Sequence, residues 1–251
     1  MTKPLQNKVA LITGGARGIG RAIAIKLAQA GCHIIVNYYN SSDVIDSLCT
    51  ELQSYGVKAL GVQANVSDPA SIKEMFATIQ NDFDHIDILI NNAASGVLKP
   101  TMEMSLKHWR WCAETNALAL VFLLQAAKEM MPVGSRVVAM TSMGSQRVIP
   151  DYGFIGASKA ALESLVRSLS VELAPAGITL NTICAGAVDT DALKHFPERE
   201  RLLKQSEERS LAGRNVTPED VANAVYLLCL PEAEMLKGQT IIVDAGYSII
   251  G

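Results

Sequence analysis

The sequence predicts an α/β fold, a doubly wound parallel sheet of seven strands with helices on both faces. Three observations predict it. Short apolar runs rich in β-branched residues alternate with stretches of helical period along the whole chain. The runs are nearly continuous in apolar residues, as strands buried on both faces must be. A glycine-rich turn links the first run to the first helical stretch.

The runs are Val9–Thr13, Ile34–Tyr38, Ala59–Gln63, Ile86–Asn91, Arg136–Thr141, Ile178–Cys184 and Thr240–Val243. In the first helical stretch Ile19, Ile23, Leu27 and Ala30 share one face, while Arg21, Lys26 and Gln29 point away. Strand–helix–strand order throughout implies a parallel sheet clothed on both sides. The 251 residues are 49% hydrophobic, ample for one core, and no linker, repeat or low-complexity stretch divides them. A single domain over residues 1–251 is therefore expected. The stretch 189–214 is not needed for the sheet. It follows a strand's C-terminal end, where open α/β sheets bind ligands, and is expected to form a substrate lid.

Several classes are excluded. The net charge of −3 gives no support to a nucleic-acid partner. No run reaches the ~18 apolar residues of a membrane span, and Met1 to Lys8 lacks a signal peptide's apolar core. A cytoplasmic location is expected. Cys32, Cys49, Cys112, Cys184 and Cys229 are scattered, with no metal-ligand spacing. They read as reduced, and no metal site is expected.

The turn reads Thr13-Gly14-Gly15-Ala16-Arg17-Gly18-Ile19-Gly20. Glycines let the backbone approach a phosphate closely, and the helix that follows offers N–H donors and a partial positive charge. With a strand before and a helix after, the turn predicts a Rossmann-like dinucleotide site. An NAD site usually carries an acid about 20 residues on. Here that region reads Asn37-Tyr38-Tyr39-Asn40-Ser41-Ser42, without a carboxylate. Arg17, inside the turn, is placed to pair with a 2′-phosphate. Both features favour NADPH as cofactor.

The turn resembles the cofactor loop of the short-chain dehydrogenases/reductases. So do Asn91-Asn92-Ala93-Ala94 after the fourth strand, Asn116, Ser142, Ser158-Lys159, Gly186-Ala187-Val188-Asp189-Thr190 and the ending Gly238 to Gly246. The resemblance implies a dinucleotide bound by Gly14, Ala16, Arg17, Gly18, Ile19, Gly20, Tyr38, Asn65, Val66, Asn92, Ala93, Lys159, Gly186, Val188 and Thr190. It implies catalysis by Tyr152, Lys159, Ser142 and Asn116, and a homotetramer or homodimer paired through helices such as Leu118–Met131 and Tyr152–Ala174.

Two positions depart from the superfamily pattern. Ala185 stands where most members have proline. Ile155 stands where the catalytic tyrosine is expected, four residues before the lysine. The nearest tyrosine is Tyr152, a Tyr-x6-Lys spacing that resembles the enoyl-acyl-carrier-protein reductases. The segments 91–98 and 189–197 resemble the third bacterial type of that activity.

The displacement has a chemical reading. In ketone reduction, hydride lands on the carbon bearing the oxygen. In enoyl thioester reduction it lands on C3, while charge gathers on the C1 oxygen, two carbons farther away. Read as one helix N-capped by Asp151, Tyr152, Ile155 and Lys159 share a face. A hydroxyl moved from 155 to 152 shifts about one turn, ~4.5 Å along the axis. The resemblance implies that Lys159 supplies the cation that grips ribose and assists the tyrosine, and that Asn116 supports it through water or a backbone kink. Ser142 either holds the thioester or bonds only to the backbone.

Three readings are open: an enoyl thioester reductase, a 3-oxoacyl thioester or polyketide carbonyl reductase, and a cofactor-binding protein without catalysis. An acyl thioester on acyl carrier protein or CoA is the expected substrate. Lys194, Arg199, Arg201, Lys204, Arg209 and Arg214 outnumber Glu198, Glu200, Glu207 and Glu208. They form either a basic rim that steers an acidic carrier protein or a solvated face of mixed charge.

Overall fold

The computed structural model describes residues 3–191, 193–196 and 198–250. In chain order the main elements are β1 (Val9–Ile12), α1 (Gly18–Gln29), β2 (His33–Tyr38), α2 (Ser42–Gln53), β3 (Ala59–Gln63), α3 (Pro69–Ile79), β4 (Ile88–Asn91) and α4 (Leu106–Ala113). They continue with α5 (Ala119–Ala127), β5 (Arg136–Ser142), α6 (Gly153–Leu173), β6 (Thr179–Ala185), α7 (Arg199–Arg209), α8 (Pro218–Cys229) and β7 (Thr240–Val243). The strands form one sheet in the order β3-β2-β1-β4-β5-β6-β7, and every pairing is parallel. This is the predicted Rossmann-like doubly wound sheet.

Apolar strand runs suit this sheet because each face has its own core. Ala10 and Ile12 of β1 face the cluster built with α1, α2 and α8. Val9 and Leu11 face the cluster built with α3, α5 and α6. β5 and β6 run one residue past the predicted ends because their ladder continues through Ser142 and Ala185. The strand order reverses between β1 and β4, which opens a crevice at their carboxyl ends.

The segment 189–214 leaves and rejoins the body at one place, where Val188 and Val216 form a parallel bridge. It carries a short turn at Leu193–His195 and then α7. Ala192 and Pro197 of the predicted 189–197 motif lie outside the described residues. Asp151 does not cap α6 as predicted. It takes a left-handed φ of 61°, and Tyr152 is the N-cap residue. The helical face proposed for Tyr152, Ile155 and Lys159 is thus broken at its first member.

Candidate active site

A cleft of about 760 Å³ runs along the carboxyl ends of the central strands. Of the predicted site residues, Gly14, Arg17, Gly18, Ile19, Gly20, Asn65, Val66, Asn92, Ala93, Ser142, Tyr152, Lys159 and Thr190 line it. The glycine turn forms one end. Gly14 has φ +60°, and a Cβ on Gly20 would stand 2.4 Å from the Gly14 carbonyl oxygen, so neither position tolerates a side chain. Thr13 ties the turn to the strand beyond. Its Oγ1 accepts from the N–H groups of Asn92 and Ala93, each at 3.0 Å. Asn92 Nδ2 donates back to the carbonyls of Thr13 and Gly14. No side chain caps α1, so its leading N–H groups remain available to an anion. The donor set and the cradle fit a dinucleotide pyrophosphate.

The other end holds the candidate chemistry. Tyr152 Oη lies 3.3 Å from Ser142 Oγ. Lys159 is buried and its Nζ donates to the Met140 carbonyl at 2.8 Å, leaving two of its three donors for other partners. Burial pulls the Lys159 ammonium down to about 8. Burial also pushes the Tyr152 phenol above its usual value, with the Ser142 hydrogen bond acting the other way. Asn116 lies in a π-helical turn, Glu114–Leu118, a local irregularity often found at functional sites. Its Oδ1 accepts from Ser95 N at 2.8 Å, and its Nδ2 donates to the Ser95 carbonyl and to Ser158 Oγ. Asn116 thus links Ser95 to Ser158, the residue beside Lys159, from within the π-helical turn.

Ile155 is 9% exposed. A Cβ on Gly96 would meet its Cγ1 at 2.4 Å, so the isoleucine fills the space directly over that glycine. Phe196, from the segment 189–214, covers the tyrosine, with ring centroids 5.8 Å apart.

Four predicted cofactor residues fall elsewhere. Tyr38 packs against the core on the α1 side, because strand alternation turns its neighbours toward the cleft instead. Asn37 and Tyr39 line the cleft, and Asn37 Oδ1 accepts from Gly14 N at 3.4 Å. Ala16 lines an adjoining groove between α1 and α2. Gly186 packs on Asp244, and Val188 is buried in its bridge to Val216. Trp111, Thr115 and Met140 line the cleft without having been singled out. A half-exposed tryptophan on a short helix leaves no periodic signal.

Five of the six cations read as a basic rim have an acid beside them, while Arg209 bonds the Ile250 carbonyl and lies over the Tyr247 ring. Arg199 pairs with Asp189, Arg201 with Glu198, Lys194 with Asp191, Lys204 with Glu208 and Arg214 with Asp220. The excess counted over residues 194–214 omitted the aspartates that flank and enter the segment. Arg17 also has an acid. Its Nη2 lies 2.9 Å from both carboxylate oxygens of Asp43, one residue past the stretch read as free of carboxylates.

A family model described as enoyl-(acyl carrier protein) reductase matches residues 14–248. The 1-cyclohexenylcarbonyl-CoA reductase of Streptomyces collinus is 33% identical over 98% of this chain and 88% of its own length. Hydroxynaphthalene reductase-like protein Arp2 of Metarhizium majus is 30% identical over 97% of this chain and 96% of its own. Among solved structures, a short chain dehydrogenase from Burkholderia cenocepacia in complex with NADP superposes with a TM-score of 0.90, at 30% identity, over 98% of this chain and 99% of that one. With this fold, this cleft and matches over nearly its whole length, the chain belongs to the enoyl-(acyl carrier protein) reductase family of short-chain dehydrogenases/reductases, a family of oxidoreductases.

Proposed function

We propose that the protein reduces the C2–C3 double bond of an enoyl thioester with NADPH, in fatty-acid or polyketide assembly, the acyl group being carried by CoA or by acyl carrier protein. The observation that carries the reading is the Tyr152 hydroxyl. It opens to the cleft beside Ser142, while position 155, the superfamily's usual tyrosine site, holds a buried isoleucine with no proton to give. The similarity to a CoA-linked enoyl reductase supports the same chemistry. Arg17, the uncapped start of α1 and the NADP carried by the Burkholderia relative support the cofactor.

When bound, NADPH supplies hydride to C3. Gly14, Gly18, Ile19 and Gly20 would hold its pyrophosphate, Arg17 its 2′-phosphate, Asn92, Ala93 and Thr190 the middle of the cleft, and Lys159 the nicotinamide ribose. As charge gathers on the thioester oxygen, Tyr152 donates a hydrogen bond to it. Ser142 orients that phenol. The phenol, raised further above its ordinary value by burial, is protonated at neutral pH, as a donor must be. The Lys159 ammonium favours the partial negative charge that the phenol oxygen acquires as it gives up its proton. C2 then takes a proton from solvent or through Tyr152. Asn116 holds Ser95 and Ser158 and so fixes the helix turn that carries Lys159.

Reduction of a 3-oxoacyl thioester or polyketide ketone is the second reading. It is favoured by Tyr152 standing ahead of α6 on a left-handed Asp151, with its hydroxyl reaching Ser142. The two hydroxyls then face one substrate oxygen together. NADPH consumption with crotonyl and with acetoacetyl thioester separates the two readings. The crotonyl thioester is expected to be turned over faster by about tenfold or more, equivalent to ~1.4 kcal/mol in the barrier. The reverse order would replace the first reading with the second.

A further inference from the structure

We propose that Asp43 competes with the 2′-phosphate of NADPH for Arg17, and so sets how tightly and how selectively the phosphorylated dinucleotide is held. This rests on the reading of Arg17 as the phosphate's partner.

Arg17 is the N-cap residue of α1, and its side chain is half exposed at the mouth of the cleft. Asp43 lies in the first turn of α2, across the groove. Both Asp43 oxygens take a hydrogen bond from the same nitrogen, Nη2, at 2.9 Å. Among the described residues nothing accepts from Nε or Nη1. A phosphate approaching that free edge shares a single guanidinium with a carboxylate already in place. A phosphomonoester brings about −1.5 to −2 charges, against one positive charge already paired. Arg21, the next cation on this side of the turn, is committed to Glu51 at 2.5 Å and relieves none of the repulsion.

Of the other cleft-lining residues on this side, Tyr39, Asn40 and Ser41 are uncharged, and Asp191 is paired with Lys194. The local balance is therefore one cation against Asp43 and the phosphate. In an exposed setting a unit charge at this range changes affinity by about threefold to tenfold. The effect must shrink with salt. It must also vanish for NAD, which has a hydroxyl where NADP has the phosphate.

The test is calorimetric titration of NADP⁺ and NAD⁺ into the wild type and three variants at low salt. Asp43→Asn is expected to tighten NADP⁺ binding about threefold to tenfold and to leave NAD⁺ within about twofold. Glu232→Gln, which makes the same change in net charge at an exposed residue lining neither groove, is expected to leave both within about twofold. Arg17→Gln is expected to weaken NADP⁺ about tenfold or more, as loss of a charge-assisted contact does. If Arg17→Gln removes the preference for NADP⁺ but Asp43→Asn leaves it unchanged or lowered, the competition idea is overturned and the role of Arg17 stands. An equal gain from Glu232→Gln would overturn it too, by making the effect one of general charge. If Arg17→Gln leaves the preference intact, the phosphate reading falls and the proposal falls with it.

Discussion

Tyr152 Oη lies 3.3 Å from Ser142 Oγ, although the tyrosine stands three positions ahead of the superfamily's usual one. The contact is possible because Tyr152 does not belong to α6. It precedes the helix, after Asp151 at φ 61°, so its ring is aimed by a turn instead of by helical period. Non-glycine residues rarely adopt that conformation, and this one re-aims the residue that follows. The vacated helical position is filled by Ile155 packed over Gly96, which closes the space a tyrosine would need there.

Tyr152→Phe removes one oxygen and leaves the ring against Phe196. Turnover of an enoyl thioester at saturating NADPH should fall by about 10²–10⁴, the usual worth of a positioned proton donor. NADP⁺ affinity should be unchanged. Adding Ile155→Tyr should not restore activity, and overpacking against Gly96 should cost ~1–3 kcal/mol of stability. Single-turnover rates check both points. A Tyr152→Phe rate close to that of the parent would assign the chemistry to another group.

Much of this arrangement was legible in the sequence. The strand runs and the glycine turn are local patterns, and they appear in the sheet and the cleft within a residue or two. What sequence spacing missed is tertiary. The start of α6 depends on one left-handed aspartate that no periodicity signals. Tyr38 and Tyr39 are adjacent and chemically alike, and only the strand's phase decides which one meets the cleft. The partner of Arg17 is twenty-six positions away on another helix. Charge counts over 194–214 missed Asp189, Asp191 and Asp220 because pairing follows space and not sequence windows.

Gly144 tests how tightly the tyrosine is held. A Cβ there would stand 2.5 Å from Tyr152 Cδ1 and 2.6 Å from Cε1. Gly144→Ala must displace the ring, which Phe196 covers. A misplacement near 1 Å costs about 10²-fold, so kcat should drop by that order while NADP⁺ affinity and circular dichroism are preserved. Unchanged kcat would mean that the ring has freedom the packing does not suggest.

Lys159 should leave a signature in stability. Its ammonium is buried and pulled down to about 8, below the ordinary lysine value. Below pH 8 the lysine is protonated both folded and unfolded, and the fold bears the full cost of burying the charge. Between about pH 8 and 10 the folded state releases the proton first, the unfolded state binds more protons, and stability rises with pH from this group. Lys159→Met should therefore unfold at higher urea than the wild type at pH 7 without dinucleotide. That advantage should shrink by on the order of 2 kcal/mol toward pH 10. Tyr152, shifted upward, keeps its proton in the folded protein over this window, so its titration enters through the unfolded state that both proteins share. A gap independent of pH would show that the lysine is solvated in the folded protein.

Phe196 joins the segment 189–214 to the chemistry. Its ring lies 5.8 Å from that of Tyr152, tilted by 34°. The Tyr152 phenol is raised by partial loss of water, and the Phe196 ring stands against it. Phe196→Ala should have two effects that a purely structural contact would not combine. Water should reach the phenol, so its acidity should move back toward the ordinary tyrosine value near 10. A raised phenol holds its proton to higher pH. Lowering it should therefore move the alkaline limb of the kcat profile to lower pH. The second effect is on the acyl group. Losing an aromatic wall worth about 1–2 kcal/mol should raise KM for a long or cyclic acyl thioester about fivefold to thirtyfold. The short crotonyl thioester, which has little apolar surface to cover, should be much less affected. Profiles of kcat and KM for a short and a cyclic substrate across pH 6–10.5 give both readouts at once. If neither the alkaline limb nor the difference in KM moves, Phe196 rests on the tyrosine without shaping either the donor or the acyl site.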